Sequence, residues 1–235
     1  MQKDSRYIRF NELILYDVPP CMRRAKNIDL KDLKKLLSFV CNRMTDPAEL
    51  TILRGNQGVL KVFDEVLKLV TDIPQIKNFN FHSFNADVKN LLIRKLQSSQ
   101  KLKSVNLDKV PNSMFDDFQS AITNTILAER LFHCRWENLK LGFSMIDQIT
   151  ENWRKSQSKQ TFEILGVLDN SKETTAEEIK NHFAKYDCDV FSTCGAKFPK
   201  VVFTFEREEG HGLVWNFSKH GESWEVMSEC PCCRW

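Results

Sequence analysis

The sequence predicts an α/β fold, a short and irregular β–α array with a parallel sheet and helices on its outer side, closed by a C-terminal antiparallel meander. Three observations predict it. One apolar-x-x-apolar-x-apolar template recurs along residues 1–187, with starts at 10, 47, 76, 102, 131 and 162. An amphipathic helical pattern separates nearly every pair of starts. From residue 188 the period changes to two. The starts are 26–37 residues apart, near the upper end of a leucine-rich-repeat period, so the array is leucine-rich-repeat-like. Residues 1–187 form the array and 188–235 the cap. A doubly wound sheet has the same alternation. Its strands, covered on both faces, read as continuous apolar runs, whereas these are short and half polar.

The strands carry the template at Phe10, Leu13 and Leu15, and then at Leu50 and Ile52. It returns at Ile76, Phe79 and Phe81, and at Leu102, Val105 and Leu107. The last two fits are Leu131, Cys134 and Trp136, then Phe162, Leu165 and Val167. The first helix presents Leu30, Leu33, Leu36, Leu37, Val40 and Cys41 on one face, behind an Asp29 cap. The second covers 58–70, with Val66, Leu67 and Val70 among its apolar positions. The third carries Val88, Leu91, Leu92 and Leu96, and the fourth Met114, Phe115, Phe118, Ile122 and Ile126. The fifth carries Met145, Ile146, Ile149 and Trp153 after a Ser144 cap. One strand edge and one helix face per unit cannot be buried within that unit, so neighbours must stack. Ile164, Gly166 and Leu168 stand where earlier repeats are polar, which predicts that something covers this end.

A sixth helix follows, capped by Ser171 or Thr174. "CDVFST", "KVVFTFERE", "GLVWNFSK" and "ESWEVMSE" then alternate apolar and polar residues between turn signals, giving three or four antiparallel strands. An open array end needs such a cap.

Composition narrows the function. The chain has 34 basic and 31 acidic residues, a net charge of +3, without the excess expected of a nucleic-acid binder. Lys31, Lys34, Lys35, Arg23 and Arg24 make the N-terminal quarter locally basic, which reads as a solvated helix face. No run is long and apolar enough for a membrane span, and "MQKDSRYIRF" has no apolar signal core. A cytoplasmic or nuclear location follows, where the eight cysteines are reduced thiols.

Chemical motifs are sparse. Cys230 and Cys233 have zinc-type spacing, and Cys188 and Cys194, with His211 and His220 nearby, are weak candidates for the other pair. A cysteine-rich strand end is the plainer reading. His133 and Cys134 are adjacent on a strand and point to opposite faces, so they form no dyad. "GNQG" at 55–58 lacks the lysine and hydroxyl of a phosphate loop. Asp116-Asp117, Glu177-Glu178 and Glu208-Glu209 read as solvated charge. No cofactor is expected. Strand-end residues Asp17, His82 and Asp108 are the candidates for a small hydrolase or transferase, the enzymatic alternative. A zinc-stabilised domain is the third class.

The favoured class is a non-enzymatic protein–protein interaction module. In an array, residues flanking the apolar strand positions project onto the concave sheet face. These are Glu12 and Tyr16, then Glu49 and Thr51, then Asn78, Asn80 and His82. Ser104, Asn106 and Asp108 continue the row, and His133, Arg135 and Glu137 end it. Polar, mixed-charge residues with Tyr and Arg suit a protein partner.

"CRWENLKLGFSMIDQITENWRKSQSKQTFEILGV", residues 134–167, resembles the F-box-associated domains expanded in nematodes. The matching residues are Leu139, Leu141, Ile146, Ile149, Trp153, Phe162 and Leu165. The resemblance implies the substrate-binding part of a Skp–cullin–F-box (SCF) ubiquitin ligase receptor, with cullin-type ligase components as further partners. No F-box is read at the N-terminus. The Val18-Pro19 pair and its following helix serve as the first repeat.

Overall fold

The computed structural model describes residues 9–16, 30–54, 66–70, 73–98, 100–155, 162–170, 172–193, 199–206 and 212–229. It is a mixed α/β fold of ten strands, parallel on the N-terminal side with a C-terminal antiparallel meander. Two compact units are present, residues 1–121 and 122–235.

In the first unit, β1 (Phe10–Tyr16), β2 (Met44–Arg54), β3 (Ile76–Phe81) and β4 (Leu102–Leu107) pair in chain order, all parallel. Register makes the alternation two-sided. Leu13, Leu50, Phe79 and Val105 form one rung, and Leu15, Ile52, Phe81 and Leu107 another two positions on. Leu50, Ile52, Phe79, Phe81, Val105 and Leu107 are buried. Each fully buried side chain of this size contributes about 1.5–3 kcal/mol.

Helices α1 (Leu30–Cys41) and α2 (Ala86–Gln97) belong to this unit, with residues 66–70 helical between β2 and β3. Asn85 caps α2 by accepting the Val88 N–H at 2.8 Å. The predicted apolar face of α2, Val88, Leu91, Leu92 and Leu96, is buried. Helix α3 (Phe115–Leu127) begins in this unit, and its Phe118 stacks edge-on against Phe84, which meets Phe81. The helices therefore cover the apolar rungs. Leu37 of α1 is buried, but Leu36 is 49% exposed, so the α1 contact stripe is narrower than its apolar pattern. Asp29, most of 58–70, and residues 55–58 lie outside the described residues.

The second unit holds β5 (Leu131–Leu141), α4 (Phe143–Lys155), β6 (Glu163–Leu168), α5 (Ala176–Phe183), β7 (Asp189–Ser192), β8 (Lys200–Glu206), β9 (Gly212–His220) and β10 (Ser223–Glu229). The strand order is β5-β6-β10-β9-β8-β7. β5 and β6 are parallel, and every later pair is antiparallel. The meander therefore joins the parallel strands edge to edge, through β10 against β6.

β6 departs from the template. Its buried residues are Ile164, Gly166 and Leu168, preceded by the buried Phe162, while Leu165 and Val167 are half exposed. Ile164 pairs with the buried Cys134, so the apolar positions read as an intrusion on the polar side lie on the covered side. The phase of β6 is set before the bulge, by the His133–Glu163 and Cys134–Ile164 pairs, and β5 then shifts its own phase. Arg135 pairs with Leu165 and Lys140 with Val167, so β5 advances five positions while β6 advances two. The extra residues press the Leu139 carbonyl against Gly166, where a Cβ would lie 2.3 Å from that oxygen. Only glycine fits there.

The helix caps also differ from expectation. Met145 and Ile146 donate their N–H groups to the Gly142 carbonyl, which places Ser144 inside the first turn of α4. Thr175 caps α5, one residue beyond Thr174, in a capping box with Glu178. Glu178 therefore has a cap role and is not merely solvated charge; the Thr175 backbone N–H lowers its pKa. Aromatic packing holds α5 on the meander. Phe183 stacks on Phe203 at 4.3 Å and contacts Phe217 and Phe205.

Candidate functional site

The side of the β1–β4 ladder opposite the apolar rungs is polar and in register. Glu12, Glu49, Asn78 and Ser104 form one rung. Ile14, Thr51, Asn80 and Asn106 form the next. His82 and Asp108 follow at the strand ends, their backbone N–H groups held by the Ile52 and Phe81 carbonyls. Nine of the predicted partner-facing residues thus share one face, because strict alternation places every second residue on the same side.

Hydrogen bonds order that face. Thr51 Oγ1 lies 3.1 Å from carboxylate oxygens of both Glu12 and Glu49. Thr51 itself is only 4% exposed, so it positions the two carboxylates. Ser104 donates to Asn78 Oδ1 at 2.9 Å. Asn78, Asn80 and Asn106 are half exposed. Ile14, at 50% exposure, adds an apolar contact point absent from the predicted set. The Tyr16 side chain lies outside the described residues.

His82 Nδ1 and Asp108 Oδ2 are 3.4 Å apart, with side chains 38% and 47% exposed. A His–carboxylate pair at the carboxyl ends of parallel strands stands where α/β enzymes place their chemistry. The separation exceeds the 2.6–3.2 Å of a general-base contact, and the pair is open to solvent. Asp17 lies outside the described residues.

In the second unit, His133, Arg135 and Glu137 stand on β5. Glu163 on β6, missed by sequence reasoning, faces the first two. Its carboxylate is 3.5 Å from His133 Nδ1 and 3.4 Å from Arg135 Nε. Glu137 is exposed. These are surface pairs, each worth roughly 0–1 kcal/mol.

A second cluster also escaped the sequence. Asp147 of α4 accepts from His182 Nε2 at 2.9 Å, from the Tyr186 hydroxyl at 2.9 Å and from Lys185 Nζ at 2.6 Å. Phe143 stacks on the His182 ring at 4.2 Å. Burial pushes the Asp147 carboxyl up, but donation from Lys185, His182 and Tyr186 outweighs it and holds the pKa low. Burial, then the Asp147 hydrogen bond, raises the Tyr186 phenol, which stays protonated. A carboxylate with three donors is a clasp between α4 and the C-terminal end of α5 with the turn that follows it. The available signal was His182, Lys185 and Tyr186 at i, i+3 and i+4, one helical face.

Thiol chemistry finds no support at the described cysteines. Burial pushes the Cys134 thiol up to about 12, which leaves no thiolate near neutrality. Burial, then Asp187 and Asp189, raises Cys188 as well. Cys194, Cys230, Cys233 and His211 lie outside the described residues. Among the described residues no helix is long and apolar enough to cross a membrane. Lys31, Lys34 and Lys35 are exposed on α1, with Lys35 paired to Asp32, while Arg23 and Arg24 lie outside the described residues.

Compared with protein-family models, with curated proteins and with solved structures, the chain matches none.

Proposed function

We propose that the chain is a non-enzymatic protein-binding module that docks its partner on the polar side of the β1–β4 ladder. One observation carries this reading: polar residues of successive strands stand in register as two rungs, Glu12–Glu49–Asn78–Ser104 and Thr51–Asn80–Asn106. Neighbouring strands lie about 4.8 Å apart, so amide, hydroxyl and carboxylate groups repeat at a fixed lateral step. Such an array offers directional hydrogen bonds to a folded partner with little ordering of its own side chains. The resemblance of residues 134–167 to F-box-associated domains supplies a setting. In that setting the module is the substrate-binding part of an SCF-type ubiquitin ligase receptor, acting in the cytoplasm or nucleus.

The test is affinity capture with the tagged chain and with an Asn80→Ala, Asn106→Ala variant. The variant keeps the wild-type circular dichroism spectrum and melting temperature and loses the captured partner. Undiminished capture by a folded variant refutes the assigned face. Cullin-adaptor proteins among the captured set support the ligase setting, and their absence from a set that retains the partner argues against it.

A further inference from the structure

Among the described residues, β7 is the terminal strand of the second unit's sheet and pairs on one side only, with β8. The Thr193 N–H donates to the Lys200 carbonyl at 3.0 Å, which fixes the phase of the ladder. In an antiparallel pair the bonded positions alternate. Asp189 and Phe191 therefore exchange hydrogen bonds with β8, and Val190 directs its N–H and C=O away from it. Exposed strand edges are usually blunted by shortness, charged side chains, proline or a bulge. β7 is short, at four residues, and carries Asp189, but it has no lysine or proline and its register with β8 is unbroken.

The side chains add two further features. Val190 is 51% exposed and Phe191 61%. Phe191 completes a cross-strand row on one sheet face, Leu165–Met227–Asn216–Val202–Phe191, so that row ends at the open edge. Asp187 and Asp189 are exposed beside it. Two neighbouring cations pair elsewhere, Arg154 with Glu151 at 3.7 Å and Lys185 with Asp147 at 2.6 Å, and Lys200 stands on β8 opposite Thr193. The edge is thus apolar on both faces, acidic, and open to backbone hydrogen bonds.

We propose that β7 is a docking edge for an extended segment of a partner protein, one that alternates basic and apolar residues and adds to the sheet as a further strand. The backbone groups of Val190 call for a strand. Val190 and Phe191 call for apolar side chains beside them. Asp187 and Asp189 call for lysine or arginine. A second copy of this chain meets the first two requirements and fails the third. Pairing β7 with itself would gather Asp187 and Asp189 of both copies around one short ladder. This surface is independent of the polar face of β1–β4.

The probe is a synthetic nonapeptide of alternating lysine and valine, compared with its glutamate–valine counterpart against the full chain. Fluorescence anisotropy measures binding, and hydrogen exchange by NMR locates it. The lysine peptide is expected to bind and to slow exchange of the Val190 amide by about tenfold or more. The glutamate peptide should bind about tenfold more weakly or less, a step of about one decade in Kd. Val190→Pro removes the outward N–H and should abolish binding. Asp187→Lys with Asp189→Lys, both on the surface, should invert the charge preference even if the proline variant does not fold. Equal binding of the two peptides overturns the proposal, as does binding that leaves Val190 exchange unchanged. Dimerisation of the peptide-free chain with protection of Val190 would reassign the edge to a second copy.

Discussion

Thr150 is a threonine on the buried face of α4, and its hydroxyl makes two bonds. It donates to the Ile146 carbonyl at 2.8 Å and accepts the Trp215 indole N–H at 3.0 Å. Both Thr150 and Trp215 are fully buried. Thr150→Val keeps the shape and removes the acceptor. The Ile146 carbonyl retains its helical partner, so the loss falls on the indole. An unsatisfied buried donor costs about 1–3 kcal/mol. For a chain of this size each kcal/mol moves the melting temperature by about 2–4 °C, so the variant should melt about 2–12 °C lower. Near-ultraviolet circular dichroism reads the transition and the Trp215 environment together. A double-mutant cycle isolates the bond: Trp215→Phe should cost less in the Thr150→Val background, by about 1 kcal/mol. A Thr150→Val variant that melts within about 1 °C of the wild type, or strictly additive effects, would refute the α4–β9 contact as drawn.

Gly166→Ala would place a Cβ 2.3 Å from the Leu139 carbonyl oxygen, forcing the β5 bulge to move; urea titration should report a loss of about 1–3 kcal/mol. Asp147, whose pKa is lowered when folded, stabilises the unit above the ordinary carboxyl pKa of about 3.9, and this stabilisation is lost as pH falls through the folded value. Asp147→Asn should therefore lower the urea midpoint at neutral pH and flatten its fall below about pH 4, and an unchanged acid limb would argue against the clasp. Cys134, buried with its thiol near 12, should resist a chromogenic disulfide reagent at pH 8 until denaturant is added.

The first unit was legible because β3 and β4 are apolar on one side only. Phe79, Phe81, Val105 and Leu107 alternate with Asn78, Asn80, Ser104 and Asn106, so a one-residue slip would bury the amides. That alternation located the candidate face as well as the core. β6 was not legible for the opposite reason. Ile164, Leu165, Val167 and Leu168 are apolar on both parities, and either phase fits a template. The choice was made by pairing with β5, which sets Ile164 beside the buried Cys134, and by β10, which arrives from about sixty residues later. Ser144 looked like a cap because its side chain suits one, yet the turn closes on the Gly142 carbonyl. The Asp147 clasp joins α4 to residues 35–39 positions away, and the i, i+3, i+4 spacing of its donors does not point to Asp147 as their acceptor.

Parallel neighbours in chain order give the β1–β4 ladder a modular length. Each strand contacts only the strands beside it, so adding or deleting one strand-with-helix unit would lengthen or shorten the polar row by about 4.8 Å without altering the remaining steps. Reach along the row and chemistry at each step can therefore change separately: a duplication alters how much of a partner is spanned, and a point substitution alters what is recognised at one place.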